Sequence, residues 1–228
     1  MRKQKLVSNE IYHVFNRGVE KRHTFMDGTD YLRFINNLAL FNDKKAILNA
    51  KYHIKEIRLT DGRKPLVDIL AFCLMPNHFH LLLRQKEENG ISKFMNKIGV
   101  GYTNYFNLKY ERVGPLFQGA FKAVLINDES QFLYIPYYIH LNPLDLKIPN
   151  WKENGIDKPR IAIEFLNSYK WSSHRDYAGR SNFIGIINTR FLDEIFISSE
   201  NYQKDLKNFM KDFDFSDMRD ITIDSENQ

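Results

Sequence analysis

The amino-acid sequence predicts an α+β sandwich, in which one antiparallel sheet carries helices packed on one face. Strand and helix patterns follow in the order strand–helix–strand–strand–helix–strand–helix. Residues 67–75 are nearly all apolar, as in a central strand that is covered on both faces. The 228 residues are 43% hydrophobic, which is enough apolar material for a core of ordinary domain size.

The first half of the chain contains two predicted strands and a helix before the turn at Pro76-Asn77. Residues 11–15 predict a strand, and Thr29 can cap a helix whose apolar stripe is Tyr31, Phe34, Ile35, Leu38 and Phe41. Residues 43–66 are polar and basic, with alternation over 52–59 and an Asp61-Gly62 turn, and predict a ribbon-like insertion.

After the turn, residues 78–84 predict another strand. Asn89 can then cap a helix with an apolar side formed by Ile91, Phe94, Met95, Ile98, Tyr102, Tyr105 and Phe106. Gly99 and Gly101 either weaken this helix by roughly 1 kcal/mol each relative to alanine or permit close backbone approach. A strand is predicted at 116–126, a helix from Asp128 or Ser130 to Leu141, and shorter helices near 161–169 and 201–213.

Charge and cysteine content limit the classes of function. The net charge is +5, but residues 211–228 carry −4, so the body of the chain is strongly basic. A basic body with 12 Tyr and 18 Phe favours a polyanionic partner, although a merely soluble basic protein is the alternative. The single Cys73 excludes a disulfide framework and a thiolate zinc cluster, and no apolar stretch can span a bilayer. We expect a cytoplasmic protein without a membrane partner.

The segment His78-Phe79-His80 is the first candidate site. Because side chains alternate along a strand, both imidazoles project to one face and can converge on one metal ion. A pair of half-exposed strand histidines is the alternative, since two ligands alone do not make a site.

A second candidate segment is Tyr-Tyr-Ile-His-Leu-Asn-Pro at 137–143. Tyr138 and Asn142 are four residues apart and share one face of a helix, whereas His140 points elsewhere. Asn142 can offer an amide oxygen to a hard cation, which suits Mg²⁺ or Mn²⁺. Tyr138 then presents a phenol one turn from the metal, or it is a core aromatic residue, as is expected of Tyr134 and Tyr137.

These motifs resemble a known family. Cys-Leu-Met-Pro-Asn-His-Phe-His-Leu-Leu-Leu (73–83) followed by Tyr-Ile-His-Leu-Asn-Pro (138–143) is similar to the HUH single-tyrosine transposases, in particular the branch associated with repetitive extragenic palindromes (REP). Further similar stretches lie at 12–18, 115–123 and 170–173, so that the resemblance covers about residues 8–180. We therefore expect a transposase domain at 1–180, with the insertion at 43–66, and a C-terminal extension at 181–228.

The resemblance implies a ferredoxin-like sandwich and an enzyme that nicks and joins single-stranded DNA beside a hairpin. It implies metal binding by His78, His80 and Asn142, and a 5′-phosphotyrosine intermediate on Tyr138. It requires no nucleotide cofactor and leaves monomer or homodimer open. Pro136 departs from an ideal helix, so that the helix either starts there or is kinked, which puts the aim of Tyr138 in doubt.

Other residues are candidates for holding DNA. The first loop supplies Arg17, Lys21 and Arg22, the strand near the site supplies Gln118 and Lys122, and Tyr102 or Tyr105 could stack an unpaired base. For each, a solvated charge or a core aromatic is the alternative. A histidine-triad hydrolase is excluded because position 82 is Leu. A hairpin-binding or regulatory protein without cleavage activity is the alternative function.

Overall fold

The computed structural model describes residues 5–45, 62–183 and 185–212 of the chain. The predicted insertion at 43–66 and the acidic tail therefore lie largely outside the described residues. Four strands form one antiparallel sheet in the order β2-β3-β1-β4, with β1 at Ile11–Arg17, β2 at Val67–Met75, β3 at His78–Gln85 and β4 at Lys122–Leu125. This strand order, with a helix in each crossover, confirms the predicted α+β, ferredoxin-like architecture.

The helices are α1 (Gly28–Phe41), α2 (Gly90–Lys109), α3 (Glu129–Leu141), α4 (Trp151–Asn154), α5 (Pro159–Ser168), α6 (His174–Tyr177), α7 (Arg190–Phe196) and α8 (Ser199–Asp212). Short 3-10 helices occupy Val19–Lys21 and Asn142–Leu146. The sequence patterns predicted α1, α2, α3, α5 and α8 but none of the short helices α4, α6 and α7. Within the described ranges, no helix is long and apolar enough to cross a membrane.

The sheet separates two apolar cores. On one face α1 and α2 pack, as predicted, against strand residues such as Val14, Phe79 and Leu81. On the other face α3 and the C-terminal helices bury Leu70 and Leu82. Helices thus cover both faces rather than the one face predicted, because the elements after β4 return across the sheet and cover its second apolar face.

The apolar strand β2 lies at the edge of the sheet, not at its centre as predicted. All nine of its residues are nevertheless buried. The chain near residue 172 covers its open edge: Leu74 N–H donates to the Trp171 carbonyl at 2.9 Å, and Ser173 N–H donates to the Phe72 carbonyl at 3.0 Å. A continuous apolar run therefore indicated burial correctly but not the position of the strand.

The strand predicted at 116–126 is shorter than expected. Only Lys122–Leu125 pairs with β1, whereas Phe117 forms an isolated bridge to Gly18. Gly119 interrupts the run with a φ of +76°, which breaks the regular extended ladder. Residues 115–121 thus run along the sheet edge as an irregular segment.

The helix starts differ in detail from those predicted. Asp27, not Thr29, caps α1 and forms a capping box with Asp30. Asn89 precedes α2 in a left-handed conformation, and its side chain makes no capping hydrogen bond. Asp128 caps α3 by accepting from the backbone N–H groups of Ser130 and Gln131.

Glycines in α2 permit close packing at two positions. A Cβ atom at Gly101 would lie 2.5 Å from the Phe41 ring, which supports the predicted close approach. A Cβ atom at Gly90 would lie 2.4 Å from the Leu66 carbonyl oxygen, whereas one at Gly99 would meet no atom within 4 Å.

We expect Gly90→Ala to lower the free energy of unfolding by about 1–3 kcal/mol, because the added methyl group meets backbone that cannot rotate away. Gly99→Ala on the same helix is the matched control. It should raise stability by up to about 1 kcal/mol through helix propensity alone. Urea unfolding of the wild type and the two variants measures both changes in the free energy of unfolding. Equal stabilities of the two variants would contradict this account.

Candidate active site

His78 and His80 lie side by side on the face of β3 that α3 covers. Their rings are 4.9 Å apart between centroids and nearly perpendicular. Phe79 projects to the opposite face and packs on Phe34 at 5.1 Å. The alternation of the strand therefore brings both imidazoles to one surface, where His80 is completely buried and His78 is 7% exposed.

Neighbouring side chains fix the orientation of both rings. The Nδ1 atom of His78 is 2.6 Å from the Asn77 Oδ1 atom, an acceptor, so Nδ1 carries the proton and Nε2 keeps a lone pair. The Nδ1 atom of His80 is 2.9 Å from the Nε2 atom of His13. The Nε2 atom of His80 is buried and makes no hydrogen bond.

His13 is a site residue that the sequence reasoning missed. It lies fully buried on β1, with its ring stacked on His80 at 5.1 Å and edge-on to Tyr138 at 6.1 Å. The available signal was alternation: His13 shares a face of β1 with Phe15 and Arg17. Only the β1–β3 register, which no local pattern gives, brings this face beside His80.

The environment keeps His80 neutral. Burial is the main cause that lowers its pKa well below the ordinary value, and the neighbouring groups His78, His13, Lys152 and Arg17 lower it further. A neutral imidazole offers a lone pair to a cation, which a protonated imidazole cannot do.

Helix α3 brings Tyr138 to the histidines. The helix begins seven residues before Pro136 and continues through it to Leu141, so the alternative in which it starts at Pro136 is wrong. The Tyr138 ring lies 5.9 Å from the His80 ring, edge-on, within the same chain. Tyr138 is only 1% exposed. A ligand that approaches the phenol must therefore displace covering side chains.

Asn142 follows Tyr138 by one turn and is completely buried. Its Nδ2 atom donates to the Tyr138 carbonyl at 2.7 Å, whereas its Oδ1 atom makes no hydrogen bond. Two buried polar atoms, this oxygen and the Nε2 atom of His80, thus have no hydrogen-bond partner within the described chain. Burying such atoms without a partner costs free energy. A divalent cation can be coordinated by both an imidazole nitrogen and a carboxamide oxygen. The residues present therefore fit the metal that the sequence predicts.

The described part of the chain holds no cluster of three or more His, Cys, Asp or Glu side chains suited to a metal ion. The carboxamide oxygen of Asn142 would add a third ligand to the two imidazoles. The complete ligand set has two nitrogens and one neutral oxygen. Mg²⁺ and Mn²⁺ accept oxygen ligands and retain water at their remaining positions.

The opposite side of α3 anchors the helix. His140 points away from the site, as predicted, with Nε2 2.7 Å from the Ser173 hydroxyl and Nδ1 2.8 Å from the Tyr202 hydroxyl. The Tyr202 hydroxyl also contacts His174 at 2.8 Å. Burial lowers the pKa of His140 well below its ordinary value and that of His174 to about 4. These neutral, buried residues link α3 to α8 and α6.

The other tyrosines of α3 point away from the histidines. Tyr137 is buried and stacks on Tyr202 at 5.6 Å, and burial raises its pKa above the ordinary value. Tyr134 is 37% exposed and packs on Phe209 at 5.5 Å. The geometry therefore favours Tyr138 over both alternatives as the phenol of this site.

A lysine that sequence reasoning also missed lies over Tyr138. The Nζ atom of Lys152 is 5.4 Å from the centre of the Tyr138 ring and 3.4 Å from the Asp145 Oδ2 atom. Asp145 belongs to the 3-10 helix that continues from Asn142. No motif or periodicity in the sequence signals this contact, because it depends on the path of the loop after α3.

Two of the basic candidates lie on the face of the histidines. Arg17 is cross-strand from His78, and Lys122 is cross-strand from Phe15, whose other cross-strand partner is His80. Lys122 is exposed and Arg17 is half-buried. In the first loop, Lys21 is exposed and Arg22 pairs with Glu20 at 3.0 Å.

The remaining DNA-binding candidates lie on the other side of the sheet. Gln118 is exposed and lines a cleft of about 840 Å³ between α2 and residues 115–121. Tyr102 is completely buried, and its hydroxyl donates to the Thr24 carbonyl at 2.6 Å, so the structure places it as the core aromatic that the sequence offered as the alternative. Tyr105 is half-buried and its hydroxyl donates to Asp30 at 2.9 Å.

The comparisons agree with the resemblance that the motifs predicted. Residues 37–142 match the family described as "Transposase IS200 like". A solved structure of a REP-associated tyrosine transposase bound to a REP hairpin is similar, with a TM-score of 0.51 and 12% identity over 80% of this chain and 86% of that chain. No curated protein matches the chain. The resemblance to the IS200-like transposases is thereby confirmed, and the structural likeness shows a shared fold.

We expect His13→Phe to weaken Mn²⁺ binding by about tenfold, because His80 loses the side chain that contacts its Nδ1 atom and holds its ring orientation. Titration with Mn²⁺, followed by the electron paramagnetic resonance of the free ion, measures the affinity. His23→Phe, at an exposed histidine, is the control and should bind as wild type does. Unchanged affinity in a folded His13→Phe protein would show that His13 does not orient the ligand.

Proposed function

We propose that this chain is a metal-dependent single-stranded DNA endonuclease and strand transferase, which acts at hairpin-bearing DNA through a phosphotyrosine on Tyr138. One observation carries the proposal: the Tyr138 ring lies 5.9 Å from the His80 ring, and both the Nε2 atom of His80 and the Oδ1 atom of Asn142 are buried without a hydrogen-bond partner in the chain. The IS200-like sequence pattern and the fold shared with a hairpin-bound transposase support DNA transposition as the process.

In this proposal His78, His80 and Asn142 hold one Mg²⁺ or Mn²⁺ ion. When bound, the ion neutralises charge on the scissile phosphate and polarises its non-bridging oxygen. The protein contributes the geometry: Asn77 and His13 orient the two imidazoles, and the residue that follows α3, Asn142, carries the carboxamide. No nucleotide cofactor is needed.

Tyr138 performs the covalent step. Its phenol oxygen loses a proton to water and attacks phosphorus, and the bond from phosphorus to the 3′ oxygen breaks. That oxygen gains a proton and leaves as a free 3′-hydroxyl, while the 5′-phosphate stays on the tyrosine. Because the ester link conserves the bond, a second 3′-hydroxyl can reverse the step and join strands without ATP.

The DNA partner is single-stranded DNA next to a hairpin. Arg17 and Lys122 lie on the face of the histidines and supply positive charge for a phosphate backbone. The nucleophile and the proposed ligands belong to one chain, which supports cleavage by a monomer or by a homodimer in which each site uses its own tyrosine.

The burial of Tyr138 favours a second function. A protein whose phenol is only 1% exposed could hold hairpin DNA or act as a regulator without cutting it. The two functions differ in one product, a protein–DNA adduct that resists denaturant. Incubation with hairpin-bearing single-stranded DNA and Mn²⁺ yields this adduct if the chain is an enzyme, whereas tight binding without adduct supports the alternative.

We expect Tyr138→Phe to abolish the adduct while the dissociation constant for hairpin DNA stays within about threefold, because one hydroxyl is lost and the ring remains. Denaturing gel electrophoresis detects the adduct. Tyr134→Phe, on the exposed side of the same helix, is the control and should form adduct normally. Adduct at normal yield in Tyr138→Phe would instead assign the nucleophile to Tyr134 or Tyr137.

We expect His78→Ala or His80→Ala to lower the rate of adduct formation by at least about a hundredfold, the typical cost of one electrostatic stabiliser. The residual rate should no longer depend on Mn²⁺. Single-turnover assays over a range of Mn²⁺ concentrations measure both quantities. Wild-type rates of either variant in chelator would contradict the assignment of the metal ligands.

A further inference from the structure

Lys152 places a positive charge beside the proposed nucleophile. Its Nζ atom lies 5.4 Å from the centre of the Tyr138 ring, and its side chain is only 14% exposed. An ammonium group in a partly desolvated position acts more strongly on neighbouring charges than one in bulk water.

Asp145 and Trp151 hold this lysine in place. One carboxylate oxygen of Asp145 accepts a hydrogen bond from the Trp151 indole at 2.6 Å, and the other lies 3.4 Å from the Lys152 ammonium. Trp151 is completely buried and thereby fixes the start of α4. Asp145 lies in the 3-10 helix that begins at Asn142, directly after the helix that carries Tyr138. The residue that holds Lys152 is therefore continuous in sequence with α3.

This arrangement differs from that of an ordinary surface lysine. Lys147, in the same loop, is exposed, and it caps the 3-10 helix through its backbone rather than its side chain. The Lys152 side chain instead lies over an aromatic ring whose hydroxyl would carry the reaction. Because Tyr138 is 1% exposed, Lys152 is one of the side chains that cover its ring.

We propose that Lys152 is a further catalytic residue, whose ammonium pairs with the scissile phosphate beside Tyr138, and that Asp145 is the positioning residue that aims it. The inference rests on the proposed function. Attack by the deprotonated phenol adds a second negative charge to a phosphodiester that already carries one. The ammonium offsets this added charge in the transition state, from a side of the phenol supplied by the loop after α3.

The test compares Lys152→Gln and Lys152→Arg with Lys147→Gln as the matched control. Each protein is mixed with hairpin-bearing single-stranded DNA and Mn²⁺, and the single-turnover rate of adduct formation and the dissociation constant of the DNA are measured separately. We expect Lys152→Gln to form adduct about a hundredfold more slowly, the typical effect of one lost charge donor, with DNA affinity within about threefold of wild type. Lys152→Arg keeps the charge and should recover to within about tenfold.

Asp145→Asn tests whether Asp145 acts on the reaction through Lys152. It should slow adduct formation less than Lys152→Gln does, and the double variant should be no slower than Lys152→Gln alone, because both changes act through one ammonium. Melting temperatures of Lys152→Gln and Asp145→Asn close to that of wild type exclude a general folding defect in these two variants.

Three outcomes overturn the inference. Lys152→Gln could cut at the wild-type rate, lose rate only in proportion to lost DNA affinity, or combine additively with Asp145→Asn. In each case wild-type protein still forms adduct, so the proposed function stands. If wild-type protein forms no adduct, the proposed function fails and this inference fails with it.

Discussion

The packing of α3 against the sheet face that carries His78 and His80 positions Tyr138, Asn142 and Asp145 in the site. The helix brings Tyr138 against His80 in the same chain, and the 3-10 helix that follows supplies Asn142 and Asp145. Pro136 in the middle of this helix does not end it. This packing interface thus brings together the sheet, the Tyr138 phenol and the loop that carries Lys152.

The site stores unfavourable free energy in the folded protein. A buried polar atom without a hydrogen-bond partner typically costs about 1–3 kcal/mol, and His80 and Asn142 each have one such atom. A cation coordinated by these atoms, as proposed, would offset that cost and would stabilise the folded protein.

Local patterns predicted the elements and the histidine pair, because alternation and helical spacing are properties of neighbouring residues. Residues 67–75 and the end of α3 at Leu141 agree with the structure, and the shared face of His78 and His80 follows from alternation alone. His13 and Lys152 were missed because strand register and a loop path bring them to the site. The same limit explains Tyr102, whose helical face was predicted correctly but whose burial depends on the packing of α1.

Tyr202 lies sixty residues beyond the end of the region that matches the transposase family, yet its hydroxyl contacts both His140 and His174. Without that hydroxyl, two imidazoles would remain in an apolar interior with a nitrogen unsatisfied, directly behind the tyrosine-bearing helix. The buried scaffold behind α3 therefore includes α6 and α8, which lie beyond the segment that matches the family. A protein shortened to that segment would lose the polar contacts that hold the back of the helix carrying Tyr138.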